Sequence, residues 1–167
     1  MYVFDLISVM SELVIVYVAI LAVYFFMRSQ RQKKRAASLD LIKRWNDGRY
    51  QRIFSNILSE PGNQDRDIRD ILSDRATRWG KDSSSNDIES IWNFFEELSI
   101  AILFGEADEE IAKEFFIYSL VNTYRISERA LYEIRSRNNK ALYLNMERLY
   151  GKWTSEKEYL VVKEVLK

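Results

Sequence analysis

The chain begins with an uninterrupted hydrophobic stretch and then changes to a repeating mixture of hydrophobic and charged positions. Residues 13–27, with the sequence LVIVYVAILAVYFFM, contain no charged side chain. As a helix with a rise of ~1.5 Å per residue they cover only about 22 Å, so the predicted helix extends back to Leu6 and reaches about 33 Å. That length matches the ~30 Å hydrocarbon core of a bilayer. The pattern predicts a transmembrane helix over residues 6–27, within an anchor region of residues 1–27.

The residues that flank this stretch predict its orientation. A segment of residues 28–37, which we interpret as a juxtamembrane linker, carries five basic side chains: Arg28, Arg31, Lys33, Lys34 and Arg35. Basic residues collect on the cytoplasmic side of membrane helices, whereas a cleaved signal peptide carries them before its apolar run. We therefore expect a single-pass protein of the inner membrane, with its N-terminus outside and its C-terminal domain in the cytoplasm. The basic residues either bind lipid headgroups or act only as this topology signal.

One stripe of the membrane helix is smaller and more polar than the rest. Helical spacing brings four residues onto it: Asp5, Ser8, Glu12 and Ala19. Small and polar residues let membrane helices approach and form hydrogen bonds, which would make this stripe a helix–helix contact. The simpler interpretation is that Asp5 and Glu12 lie in the outer headgroup layer. Both interpretations stay open at this point.

Beyond the linker, apolar residues recur every three or four positions, which indicates helices. Ser38 is placed to cap a helix that ends at the polar break Asn46-Asp47-Gly48. Residues 88–104 are apolar around most of the helix circumference, so we expect this helix to lie centrally. Asp108 then begins a helix of nearly thirty residues, with acidic residues in its first turn.

The fold class follows from these repeats and from the composition. A last helix is predicted from Ala141, and Gly 5 and Pro 1 in 167 residues are too few for a fold rich in turns. We predict an all-α protein in which the membrane helix precedes an antiparallel bundle of about five to six helices over residues 38–153. Residues 154–167 form a C-terminal tail, which suits either a short helix or a strand.

The composition also limits the chemistry. The chain contains no Cys and no His, which removes thiolate nucleophiles, imidazole bases and most zinc sites. We therefore predict no catalytic, cofactor-binding or metal-binding residues and no enzymatic activity. From Ser38 onward there are 20 basic and 23 acidic residues, a formal charge of −3. A domain of this charge has little attraction for phosphate backbones, so no nucleic-acid partner is expected.

The element Asn93-Phe94-Phe95-Glu96-Glu97 places polar and aromatic residues together on the predicted central helix. We expect its polar residues to join arginines of the following long helix in a buried polar network: Asn93, Glu96, Arg125 and Arg129. The alternative is that Glu96 or Glu97, with Arg125 or Arg129 opposite, marks a pocket for a small polar ligand.

Four elements together carry a family resemblance: Trp45-Asn46-Asp47, the element from Asn93 to Glu97, Gly105 with its acidic neighbours, and the stretch from Tyr143 to Leu149. In this order and spacing the chain resembles the bacterial family of domains of unknown function numbered 4760. The resemblance covers about Leu39 to Trp153. It implies a bacterial helical domain, often placed behind one transmembrane helix, with no established activity or ligand.

Two non-enzymatic functions remain, and we favour the first. A membrane-tethered interaction or regulatory module would bind a protein partner and would expose aromatic or arginine-rich patches on its cytoplasmic domain. An oligomeric membrane effector, such as a small pore or a defence-type protein, would self-associate through the polar stripe of its membrane helix. Membrane lipids are partners in both cases.

Overall fold

The described part of the chain is entirely helical outside its turns. A computed structural model describes residues 2–58, 66–79, 84–137 and 139–154. The helices in these ranges are α1 (Tyr2–Asn46), α2 (Arg49–Leu58), α3 (Ile68–Trp79), α4 (Ser84–Leu103), α5 (Glu109–Arg137) and α6 (Leu144–Trp153). The predicted all-α fold, with one long apolar N-terminal helix and a helical bundle, is confirmed. Residues 155–167, most of the predicted tail, lie outside the described residues.

Helix α1 is one continuous helix of 45 residues. The sequence predicts a linker over residues 28–37 and a new helix capped by Ser38, but α1 passes through both positions. The reason is local: residues 28–37 contain no Gly or Pro and are rich in Arg, Lys, Gln and Ala, which are good helix formers. The apolar N-terminal stretch and the first helix of the bundle are therefore a single rod.

The break between α1 and α2 lies at the predicted position. Gly48 has a φ of 87°, a conformation that an L side chain rarely adopts. Asp47 still donates its amide to the Lys43 carbonyl at 3.0 Å, so the helical hydrogen bonds of α1 continue up to the residue before Gly48. The turn brings the Tyr50 ring onto the Trp45 ring, with 6.1 Å between centroids and 7° between planes.

Trp45 is the centre of the bundle core. Its ring contacts Phe94 and Phe95 of α4, with centroids 5.1 and 5.3 Å away, and Phe116 of α5 at 5.8 Å. All four side chains are buried. Such aromatic pairs contribute ~0.5–1.5 kcal/mol each beyond the area they bury, so α1, α4 and α5 are held most firmly at this level.

Helix α4 packs against α2, α3, α5 and α6, and α5 packs against α1, α3, α4 and α6, so both helices lie centrally in the bundle. Residues 119–124 of α5 are all buried, and consecutive residues of a helix point in directions about 100° apart. This part of α5 is therefore enclosed on every side. In contrast, α4 exposes Asn93, Glu97 and Ile100. Helix α4 nonetheless contacts several other helices, as its apolar composition predicted.

Two aspartates cap the starts of helices, and the sequence predicted one of these starts, the one at Asp108. Asp67 accepts the Arg69 amide at 2.9 Å ahead of α3, and Asp108 accepts the Ile111 amide at 3.3 Å ahead of α5. Both are side-chain caps that satisfy amides without a partner inside the helix. The starts predicted near Ile88 and Ala141 differ from the structure, because α4 begins at Ser84 and α6 begins at Leu144.

Candidate functional site

The element from Asn93 to Glu97 reaches a different partner with each side chain. Phe94 and Phe95 are buried in the core. Tyr143 donates its hydroxyl proton to Asn93 Oδ1 at 3.1 Å. Glu97 Oε1 lies 2.8 Å from Arg44 Nη2 and pairs α4 with α1. This pair raises the pKa of Arg44 further above its usual range, in spite of partial burial.

Glu96 supplies the cap that α6 lacks in its own sequence. Tyr143 precedes α6 in the left-handed conformation, with φ of 55°, and its side chain makes no capping bond. The Glu96 carboxylate accepts the Met146 amide at 2.8 Å through Oε2. Through Oε1 it accepts the Asn145 side-chain amide at 2.8 Å and the Asn145 backbone amide at 3.3 Å. A negative charge at this helix end also interacts favourably with the helix dipole.

The predicted polar network is arranged differently in the structure. Asn93, Arg125 and Arg129 are exposed and Glu96 is only half-buried, so the expected burial is not found. Asn93 bonds to Tyr143 and Glu96 bonds to the start of α6, whereas the prediction placed their partners on α5. The α6 residues that complete the arrangement were missed, because no local signal relates positions about fifty residues apart.

A second polar cluster joins α3 to α5. The Arg69 guanidinium donates to both Asp67 oxygens, at 2.9 and 2.8 Å, and also to Glu133. The hydrogen bonds from Arg69 hold the pKa of Asp67 below its usual range, although partial burial opposes this, and the charge of Arg129 adds to the effect. The two carboxylates in turn raise the pKa of Arg69.

A cleft of about 340 Å³ lies beside this cluster, between α3, α4 and α5. Its apolar wall includes Ile68, Ile88 and Trp92, and its rim includes Glu89 and Arg137. The volume falls within the range of ~300–1,000 Å³ that small-molecule sites occupy. No local sequence pattern predicts this cleft, because three separate helices contribute its walls.

The other end of α5 is tied to α1 and α6. Ser38 donates its hydroxyl proton to the Asp108 carbonyl at 3.0 Å and accepts the Asp108 amide at 2.8 Å. Glu109 accepts from Lys152 Nζ at 2.6 Å and from Trp153 Nε1 at 3.1 Å. Burial would raise the pKa of Glu109, but these hydrogen bonds and the nearby lysine charges lower it. Ser38 was predicted as a helix cap and is instead a fully buried bridge.

The apolar part of α1 has the length and composition to span a membrane. It has a mean hydropathy of 1.8, and none of its most apolar window is buried against the bundle. Glu12 and Ala19 of the polar stripe are exposed on it, while the side chains of Asp5 and Ser8 lie outside the described ones. All five basic residues of the predicted linker are exposed along the same helix: Arg28, Arg31, Lys33, Lys34 and Arg35.

No three carboxylates come together as a possible metal site among the residues that the structure describes. The fold and its polar contacts define a helical domain that is locked onto the end of a long apolar N-terminal helix.

Comparison with known proteins agrees with this class. The family model described as Domain of unknown function (DUF4760) matches residues 10–153, and the chain belongs to this family. The predicted resemblance is therefore confirmed, and the match includes most of the apolar helix. No curated protein and no solved structure matches the chain.

Proposed function

We propose that this protein is a membrane-anchored interaction or regulatory module without enzymatic activity. The apolar part of α1 crosses the inner membrane with its N-terminus outside, and the bundle lies at the cytoplasmic surface. The observation that carries the proposal is the continuity of α1, which runs from an exposed apolar stretch directly into the bundle core at Leu41 and Trp45. No flexible joint separates the two parts.

The exposure of the apolar stretch supports a membrane environment. The core helix of a soluble protein with this composition would bury its apolar face, whereas Phe25 and Phe26 are 60% and 65% exposed. Transfer of such side chains from water to hydrocarbon contributes ~1.5–3 kcal/mol each. The basic residues that follow the apolar stretch support the orientation.

The rigid connection supports a regulatory role. A tilt or rotation of the membrane helix would be transmitted to the bundle, because α1 is one continuous helix through Met27 and Ser38. On α5, Phe115 and Tyr118 are 40% and 38% exposed, and Tyr118 contacts the half-buried Phe54 ring at 6.3 Å. Aromatic residues are enriched at protein interfaces, so this surface is the proposed contact for a protein partner.

The chain has no Cys, so its topology can be tested with a single introduced thiol. Ser136→Cys places the thiol on an exposed position near the end of α5. We expect a membrane-impermeant maleimide to label it only after the cells are permeabilised. Labelling in intact cells would contradict the cytoplasmic location. Recovery of unlabelled protein in the soluble fraction would contradict the membrane anchor.

The partner surface can be tested by photocrosslinking in cells that express the full-length protein. A photoreactive phenylalanine analogue replaces Tyr118, and the matched control carries it at Tyr132, another exposed tyrosine of α5. We expect a discrete adduct from position 118 that position 132 does not give and that Phe115→Ser abolishes. Equal adducts at both positions would refute this surface.

A second function is favoured by one observation on α1. Glu12 is exposed beside the apolar residues of α1, whose most apolar window is not buried against the described bundle. A carboxylate near a membrane helix is a candidate for assembly of an oligomeric effector. Light scattering of the full-length protein in nanodiscs tests it, with Glu12→Leu and the bundle control Glu110→Leu. Assembly that only Glu12→Leu removes would favour the effector, and a monomer would exclude it.

A further inference from the structure

We infer that the turn between α4 and α5 is a second membrane contact, in which Phe104 enters the headgroup layer of an anionic bilayer. This inference rests on the proposed membrane span of α1. It concerns how the bundle is held against the membrane, which the span alone does not determine.

The contacts of this turn fix its height above the membrane. Asp108 donates its amide to the Lys34 carbonyl at 3.2 Å, and a Cβ on Gly105 would lie 3.6 Å from Lys34 Nζ. The turn therefore lies at the level of Lys34. Because Lys34 comes seven residues after Met27 on one unbroken helix, this level is about 10 Å beyond the apolar stretch.

The direction of α4 makes this turn the tip of the bundle that faces the membrane. Ser90 contacts Arg49 near the end of α1, and Glu97 contacts Arg44 one to two turns earlier in α1. Helix α4 thus runs back along α1, towards the apolar stretch, and ends at Leu103. Helix α5 then leads away again, with Phe116 at the level of Trp45.

The height agrees with the thickness of a bilayer. One headgroup layer is about 5–8 Å thick. Membrane helices are tilted by ~20° on average, and packed helices lie ~8–10 Å apart. A tilt of α1 towards the α4–α5 turn therefore brings the turn about 3 Å closer to the membrane. The backbone of the turn then lies about 7 Å above the hydrocarbon boundary, and a side chain directed downward from it enters the headgroup layer.

The side chains at this level suit a lipid surface. Phe104 is 72% exposed, the largest exposed fraction among the described large apolar side chains, and Ile100 lies one turn earlier on the same face of α4 at 39%. Lys33 and Lys34 of α1 are exposed at this level, and each basic residue near an anionic surface contributes ~1 kcal/mol to membrane binding. Glu106 opposes this attraction.

Asp108, the second acidic residue of the turn, is paired with Arg35 at 3.8 Å. Arg35 therefore offsets most of the repulsion between Asp108 and an anionic surface, so the lysines outweigh the remaining acidic charge at this level.

The test uses full-length protein in nanodiscs of phosphatidylcholine and phosphatidylglycerol. Phe104→Cys provides the only thiol of the chain for an environment-sensitive fluorophore, and Tyr132→Cys is the matched control. Tyr132 is equally exposed at 71%, but it lies about 36 Å farther along α5. Val18→Cys reports on the span itself. Nitroxides on the lipid headgroups serve as quenchers for positions 104 and 132, and brominated acyl chains serve as the quencher for position 18, because each acts only at short range.

We expect a loss of fluorescence at positions 18 and 104 and none at position 132. Quenching at 18 with no quenching at 104 would overturn the second contact and leave the membrane span intact. No quenching at position 18 would overturn the span, and with it this inference. Circular dichroism of each labelled variant confirms that the bundle is folded, which an exposed site on a turn should allow.

Discussion

Glu96 of α4 caps the start of α6, and Glu96→Ala removes this cap. The Glu96 carboxylate accepts the Met146 and Asn145 backbone amides and the Asn145 side-chain amide at the start of α6. Tyr143 supplies no side-chain cap in its place. The variant therefore leaves two α6 amides without a partner and removes a negative charge from the end where the helix dipole is positive.

The expected loss of stability follows from these contacts. A hydrogen bond to a charged group contributes ~1.5–3 kcal/mol, and a charge at a partly buried helix end contributes up to ~2 kcal/mol. These contributions overlap, because one carboxylate makes all three bonds. We expect Glu96→Ala to lower the free energy of unfolding by about 2–4 kcal/mol. Glu96→Gln keeps one acceptor oxygen and should cost about half as much.

The matched control is the adjacent carboxylate on the same helix. Glu97 is 57% exposed and pairs with Arg44, so Glu97→Ala should cost no more than ~1 kcal/mol. Urea unfolding of the full-length protein in a mild detergent, followed by circular dichroism, measures both variants. Hydrogen exchange should show faster exchange at Asn145 and Met146 in Glu96→Ala only.

Two results would refute this reasoning. Equal destabilisation by the two alanine variants would show that the capping geometry contributes nothing beyond an exposed ion pair. Unchanged exchange at Asn145 and Met146 would show that their amides do not depend on Glu96.

Three further predictions concern the tie between α1 and α5, the α3 cap and the α4–α5 turn. Ser38→Ala removes both hydrogen bonds to Asp108 and should lower the free energy of unfolding by about 1–2 kcal/mol in the same urea assay, and an unchanged midpoint would contradict the bridge. Because Arg69 lowers the pKa of Asp67 in the folded state, the stability from this group is present above pH ~4 and is lost as the pH falls through the lowered pKa. Asp67→Asn should therefore give a smaller loss of stability between pH 6 and pH 3 than the wild type, as urea midpoints will show, and an equal loss would argue against the pair. Gly105→Ala should cost about 1–2 kcal/mol because φ is +71°, whereas Gly151→Ala, inside α6 and with open space around it, should not destabilise.

The local sequence accounts for the positions of several helix starts and breaks. Asp67 and Asp108 cap α3 and α5 with their own side chains, and Gly48 permits the turn after α1. The apolar character of residues 13–27 is also evident from the local sequence. These features depend on residues within a few positions of one another. The local pattern was therefore sufficient to predict the start at Asp108, the break before Gly48 and the apolar helix, although the cap at Asp67 was not predicted.

The sequence by itself determined the all-α class, the long apolar helix and the order of the helices. Only the tertiary structure decided that Ser38 bridges to Asp108, that Glu96 caps α6, and that α5 shares the central position with α4. The physical reason is the range of the interactions. Helix periodicity and caps act over three or four residues. The Ser38 and Glu96 contacts join positions 70 and 50 residues apart, and all three features depend on how whole helices pack.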